Sequence, residues 1–230
     1  MGLDLSNAQI ARELGLAESD LHEMASLLRE GVYEKRAAVV LSGAVEADDR
    51  AAGAVVFSGR SQRSVRSSKK KHRKPRRRRL KGRRGRGTAA QDKPPVLGLI
   101  ARNGLVRIWM LANVQRKTIE PLIRQSIAEG STVYTDEYCI YDWLSNDYVH
   151  KTVNHSQGEY ARDEDGDGRY EVHVNTMECF WSLLRPWLRV HRGLSQERLP
   201  YYLGFFECLY NLRKRGQLAL SGLPTLLLTT

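Results

Sequence analysis

The chain has 230 residues, 41% of them hydrophobic, and a formal net charge of +11 at pH 7. That length supports one domain with its own core plus attachments. No apolar run approaches the roughly 18 residues of a membrane span, and Cys139, Cys179 and Cys208 stand outside any CxxC pair, which argues against a zinc ribbon or a disulfide framework.

The charge is local. Fifteen Lys/Arg lie between Arg63 and Arg86, and no acid occurs from Ala51 to Gln91, which leaves 22 bases against 26 acids elsewhere. The N-terminus, MGLDLSNAQI, carries no signal-peptide pattern. Isolated cysteines with mostly apolar flanks fit a reducing compartment, so the expectation is a cytoplasmic protein.

In chain order, residues 6–31 read as two helices. Ser6 is a suitable N-cap, Ile10, Ala11 and Leu14 share one face, and Gly15 ends the first helix. Glu18 to Arg29 follows, with Leu21, Met24, Leu27 and Leu28 at helical spacing. Helix, glycine turn, helix has the shape of a helix-turn-helix. Glu18, Asp20, Glu23 and Glu30 suit a major groove badly, so the segment reads first as a hairpin packed on the core or on a partner. Ala37 to Glu46 reads as a strand leading into Asp48 and Asp49.

Residues 58–92 form a basic low-complexity loop. Like charges at this density repel and bury no apolar area, so disorder without a partner is expected. Phosphate backbones suit Lys69, Lys70, Lys71, Arg73, Lys74, Arg76, Arg77, Arg78, Arg79, Lys81, Arg83, Arg84 and Arg86. Such binding weakens steeply with salt, and with no aromatics in the run base stacking is not expected.

Pro94 and Pro95 close the loop. VLGLIA and LVRIWML read as strands joined at Arg102, Asn103 and Gly104, a hairpin signal. Thr118 caps a helix that tolerates Pro121 in its first turn and ends at Gly130. Thr132, Val133 and Tyr134 form a strand that delivers Asp136 at its end, with Glu137 turned away. Tyr148 to Val153 reads as a fifth strand. The run from Asp163 to Gly168 reads as a solvated acidic turn; it begins like a calcium loop, but Val174 stands where the twelfth-position glutamate would be. His155 and His173 read as structural histidines.

A helix starting at Val174 or Asn175 runs to Leu184, and Pro186 is expected to kink or stop it. Asn175, Glu178 and Arg185 form one polar stripe at i, i+3 and beyond, opposite Phe180, Leu183 and Leu184. Trp181 and Trp187 read as packing residues. A last amphipathic helix, Leu199 to Lys214, covers the sheet; Asn211, Arg213, Lys214 and Arg215 add a small basic patch, and a frayed tail follows. A strand-end carboxylate with a second on a distant helix suits a two-metal phosphoryl-transfer site, with two Mg²⁺ about 3.5–4 Å apart.

The stretches VYTDEYCIY, KTVNHSQGEYARDEDGDG and VHVNTMECFWSLLR resemble bacterial insertion-sequence transposases of the DDE superfamily. The closer likeness is to the group with a zinc ribbon and helix-turn-helix ahead of an RNase H-like catalytic domain, and it runs from about Ser6 to Leu220. It implies an α/β fold in which an RNase H-like mixed sheet is flanked by helices. The catalytic domain would span 37–220 with the basic insertion at 58–92, after a helix-turn-helix-like segment at 1–36 and before a tail at 221–230. The strand and helix order above agrees with it.

The resemblance implies Mg²⁺-dependent cleavage at transposon ends, with Mn²⁺ as substitute, and attack of the freed 3′-OH on target DNA. Metal ligands would be Asp48 (or Asp49 in reserve), Asp136, and Glu178 or Asn175, with Arg185 on the DNA backbone. Partners would be double-stranded transposon ends and target, met by a homodimer at the nucleoid, with no membrane. The family's zinc ribbon has no counterpart here, so the chain reads as N-terminally shortened. Family members follow the first aspartate with Glu, Tyr and Val-like residues, where this chain has DDRAAGAVVF. Two rival readings follow: an inactive copy that only binds DNA, and a plain metal-dependent nuclease.

Overall fold

The computed structural model describes residues 7–51, 94–191 and 194–215. The basic stretch 58–92, with every lysine and arginine from Lys69 to Arg86 assigned to DNA contact, lies outside these residues, as does the tail 221–230.

Two helices lead, α1 (Asn7–Leu14) and α2 (Glu18–Glu34). The sheet is built from β1 (Ala44–Ala51), β2 (Pro95–Ala101), β3 (Val106–Met110), β4 (Thr132–Asp136) and β5 (Val149–Val153). Helix α3 (Arg116–Ser126) joins β3 to β4, and a 3₁₀ helix, Cys139–Asn146, joins β4 to β5. A short hairpin of β6 (Ala161–Arg162) and β7 (Val172–His173) runs into α4 (Asn175–Val190), and α5 (Leu199–Arg215) closes the described chain.

The strand order is β3-β2-β1-β4-β5. β1 pairs antiparallel with β2, and β2 with β3; β1 pairs parallel with β4, and β4 with β5. This five-stranded mixed sheet flanked by helices is an RNase H-like arrangement.

Alternation along the strands divides the core in two. Val45, Ala47, Leu97, Leu99 and Val133 face α3, where Ile119 and Ile123 meet them. Val96, Ile100, Val106 and Ile108 face Met177, Phe180, Trp181, Leu199 and Leu203 of α4 and α5. β2 is buried on both sides from end to end, as a central strand requires.

Several boundaries differ from the sequence reading. The apolar run before Glu46 is mostly extended connector: Leu41 makes one parallel bridge to Ile127, and β1 begins after Gly43, whose φ of 77° turns the chain. The strand runs through Asp48 and Asp49 rather than stopping before them. Helix α3 starts at Arg116, so Pro121 sits inside it; Pro121 is on the exposed face, where the lost amide bond meets solvent. Pro186 does not end α4. The turn beyond it buries Leu188 in the core and packs Trp187 on Phe206 and Tyr202, and this packing outweighs the missing hydrogen bond.

The leading hairpin packs on the core. Tyr33 of α2 sits edge-on to Tyr201 and against Gly204, while Arg29 lies 4.3 Å over the Tyr202 ring. Asn211 belongs to no basic patch. It is buried, and its side chain accepts from the Val106 amide at 2.8 Å and donates to the Val106 carbonyl at 2.9 Å.

Candidate active site

β1 carries three carboxylates in four positions, and strand alternation sorts them. Glu46 and Asp48 point to the α4 face; Asp49 points to the other. Asp49 Oδ1 accepts from the buried Tyr141 hydroxyl at 3.0 Å, so the reserve choice for the first ligand is taken up beneath the sheet. Asp48 Oδ2 accepts from the Trp181 indole N–H at 2.9 Å.

The parallel pairing of β1 with β4 aligns Ala44 with Thr132, Val45 with Val133 and Glu46 with Tyr134, a constant offset of 88 positions. Asp48 and Asp136, two residues beyond the last pair, keep the same offset and the same face. Asp136 Oδ1 accepts from the Tyr138 amide at 3.2 Å. Burial, followed by the charges of Asp49, Asp48 and Asp136, pushes the Tyr141 phenol well above its usual range. One buried ring therefore senses all three aspartates.

Glu137 faces elsewhere, as its place beside a strand-end aspartate predicts. It accepts from the amides of His155 and Ser156. Its own backbone amide, together with these two, holds its carboxyl below the usual range.

Helix α4 supplies the remaining candidates. Glu178 and Arg185 are half-buried and Asn175 is exposed. Glu178 lies one turn before Trp181. Among the described residues, its carboxylate does not close with those of Asp48 and Asp136 to within 4.8 Å; the acids that do close as a trio are Asp163, Asp165 and Glu171, on the turn between β6 and β7. That turn is held by its own carboxylates, with Asp163 accepting from the amides of Gly166 and Gly168.

Room for α4 comes from β2. Gly98 pairs with Asp48 across the strands, and a Cβ there would collide with Met177 Cε and lie 2.8 Å from Trp181 Cζ2. Glycine is required here by close approach, not by backbone angle.

Sequence reading missed Glu46. It is fully buried and accepts from Arg102 Nε at 2.9 Å, Thr176 Oγ1 at 2.8 Å and the Met177 amide at 2.9 Å. His173, just before α4, has its imidazole basicity lowered by burial and then by Arg102. The neutral ring accepts from the Asn175 amide through Nδ1, and its 3.2 Å approach to Glu46 becomes an ion pair only on protonation. The available signal was the period-two spacing of Glu46 and Asp48.

The sheet order and the acids along the β1/β4 seam define an RNase H-like α/β domain with an acidic face. Residues 40–211 match the family model of the ISXO2-like transposase domain, and the chain belongs to that family. It is 41% identical over 141 residues to an uncharacterised protein in the transposable element ISH50 of Halobacterium salinarum, over 60% of this chain and 46% of the relative. It is 29% identical over 103 residues to an uncharacterised transposase-like protein of Haemophilus influenzae, over 44% of this chain and 77% of the relative. The chain thus spans about half the length of the halobacterial relative it matches. No solved structure matches. Among the described residues no helix is long and apolar enough to cross a membrane.

Proposed function

We propose that this chain is the catalytic part of an insertion-sequence transposase. It would cleave transposon ends and join the freed 3′-OH to target DNA with Mg²⁺, or Mn²⁺ in its place. The observation that carries the reading is the parallel register of β1 on β4, whose 88-position offset is also the separation of Asp48 and Asp136.

The donor set fits a hard divalent cation. All donors are oxygens, which suits Mg²⁺, and Asp48 and Asp136 both add, after burial and Asp49, to the rise of the Tyr141 phenol. Asp48 and Asp136 would hold the ion, with Glu178 or Asn175 as third donor; the opposite orientation of Asp49 favours Asp48. When bound, the ion supplies charge neutralisation and Lewis acidity at the scissile phosphate. The protein's own work is positioning. Trp181 fixes the Asp48 carboxylate, Tyr138 fixes that of Asp136, and Arg185 lies on the same helix stripe as Glu178 to meet the DNA backbone. The basic run from Lys69 to Arg86 would hold duplex DNA through phosphates, with a steep salt dependence. Transposition joins two ends, so a homodimer on DNA is part of the proposal.

The test is nicking of supercoiled plasmid in Mg²⁺ or Mn²⁺. Asp136→Ala should lower the rate roughly 100-fold or more, with DNA retention in EDTA unchanged. Equal nicking by both proteins would move the chemistry elsewhere. Retention without nicking by the parent protein would leave a DNA-binding role alone. Cutting without joining to a second DNA would leave a nuclease.

A further inference from the structure

Glu46 has no place in the chemistry proposed above, yet it is the most completely enclosed acid on β1. Its partners come from three directions. Arg102 reaches in from the β2–β3 turn and also donates to the His173 carbonyl at 3.1 Å. Thr176 and Met177 present the first turn of α4. A carboxylate accepting from amides at a helix N-terminus is stabilised by the unpaired N–H groups and the helix dipole.

A second contact fixes the helix further along. Glu46 takes the Met177 amide, and Asp48, two strand residues on, takes the Trp181 indole, four helix residues on. Four helical residues rise about 6 Å and two strand residues about 6.6 Å. The spacings are similar, and the two contacts together restrain α4 along β1. Glu178 lies between Met177 and Trp181 on the chain, so this restraint also sets where its carboxylate stands relative to Asp48.

We propose that Glu46 is a positioning residue for the metal site, acting through its reach: the length of its side chain sets the height of α4 over β1 and hence the distance from Glu178 to Asp48. The inference rests on the reading of Asp48, Asp136 and Glu178 as metal-holding residues.

Two substitutions separate reach from charge. Glu46→Asp keeps the charge and withdraws the carboxylate by one methylene. Glu46→Gln keeps the length and one acceptor oxygen for the Met177 amide, while its amide group can donate to Thr176 Oγ1; Arg102, which is partly exposed, is displaced. Mn²⁺ binding is measured by electron paramagnetic resonance without DNA, counting only the site lost in Asp136→Ala, which sets aside any ion at the acidic turn. Thermal melts in EDTA run alongside.

The expected result is Mn²⁺ affinity about 10-fold weaker in Glu46→Asp, and within about threefold of the parent in Glu46→Gln. Unchanged affinity in Glu46→Asp would overturn the proposal, as would a larger loss in Glu46→Gln than in Glu46→Asp, since charge would then matter and not reach. A lower melting temperature with unchanged Mn²⁺ affinity would mean a structural role only and would also overturn it. If the parent protein showed no Asp136-dependent Mn²⁺ site, the metal reading and this inference would fall together. If it showed one that Glu46→Asp left intact, only this inference would fall.

Discussion

Helices α4 and α5 dock on the sheet by the same spacing and with opposite chemistry. At α4 the acids belong to the strand: Glu46 and Asp48 receive donors from Met177 and Trp181. At α5 the polar side chains belong to the helix. Glu207 accepts from the Ile108 amide at 2.8 Å, and Asn211, four residues on, accepts from the Val106 amide, two residues back along β3. Both docks match one helical turn to two strand residues. The α5 dock ties helix to backbone and holds Arg36 and Arg107 around Glu207 at 3.4 and 3.7 Å. The α4 dock uses Asp48, which the proposed site also needs. Stability and metal binding should therefore be separable at α5 and linked at α4.

The largest effect should come from Glu207→Ala. It strips the Ile108 amide of its acceptor and leaves two arginines around a buried gap, at a cost of about 3–5 kcal/mol by urea unfolding. Mn²⁺ affinity of the folded variant should not change; a change would break the separation. Asn211→Ala should cost less, about 1–3 kcal/mol in the same assay, because it orphans a neutral amide and carbonyl. Gly98→Ala should cost about 1–3 kcal/mol through overpacking and, unlike the α5 variants, should also weaken Asp136-dependent Mn²⁺ binding as Met177 and Trp181 are pushed off β2. A Gly98→Ala protein with normal Mn²⁺ binding would show that the α4 register is looser than its two contacts imply.

The smallest effect is a pH slope. Burial pushes the Glu207 carboxyl up, and Arg36 and Arg107 offset this only in part. A raised carboxyl binds its proton more tightly in the folded chain, so its contribution is fully present below the unfolded value of 4.5 and is lost as pH rises through the folded value. Glu207→Gln removes that slope. Measured across this window, the parent should lose stability relative to Glu207→Gln as pH rises; parallel curves would mean that the arginines cancel the desolvation.

Much of this arrangement was legible in the sequence, for identifiable reasons. The Asn103–Gly104 hairpin, the fifth strand and the helix carrying Asn175, Glu178 and Arg185 are local patterns of period two or 3.6 and stand close to where their residues put them, although Leu183, expected on the apolar face of that helix, is exposed. The parallel neighbourhood of β1 and β4, expected from the resemblance, is observed, and on that basis Asp48 is proposed to lie beside Asp136. The two docks were not legible. Glu46 meets Met177 across 131 positions and Glu207 meets Ile108 across 99, and no local pattern distinguishes a buried acid with distant donors from a solvated one. Asn211 was misread for the same reason, since its neighbours Arg213 and Lys214 are exposed. At Pro186, local propensity gave way to packing by Leu188 and Trp187.

The α5 dock has one more consequence. β3 is an outer strand of the sheet, and its outward amides at Val106 and Ile108 are already taken by Asn211 and Glu207, while the Ile108 carbonyl accepts from Arg36. An unguarded outer strand is a template for another chain to zip onto. Here side chains occupy the rungs a foreign strand would need. Strand-to-strand pairing of two copies along this border is thereby opposed.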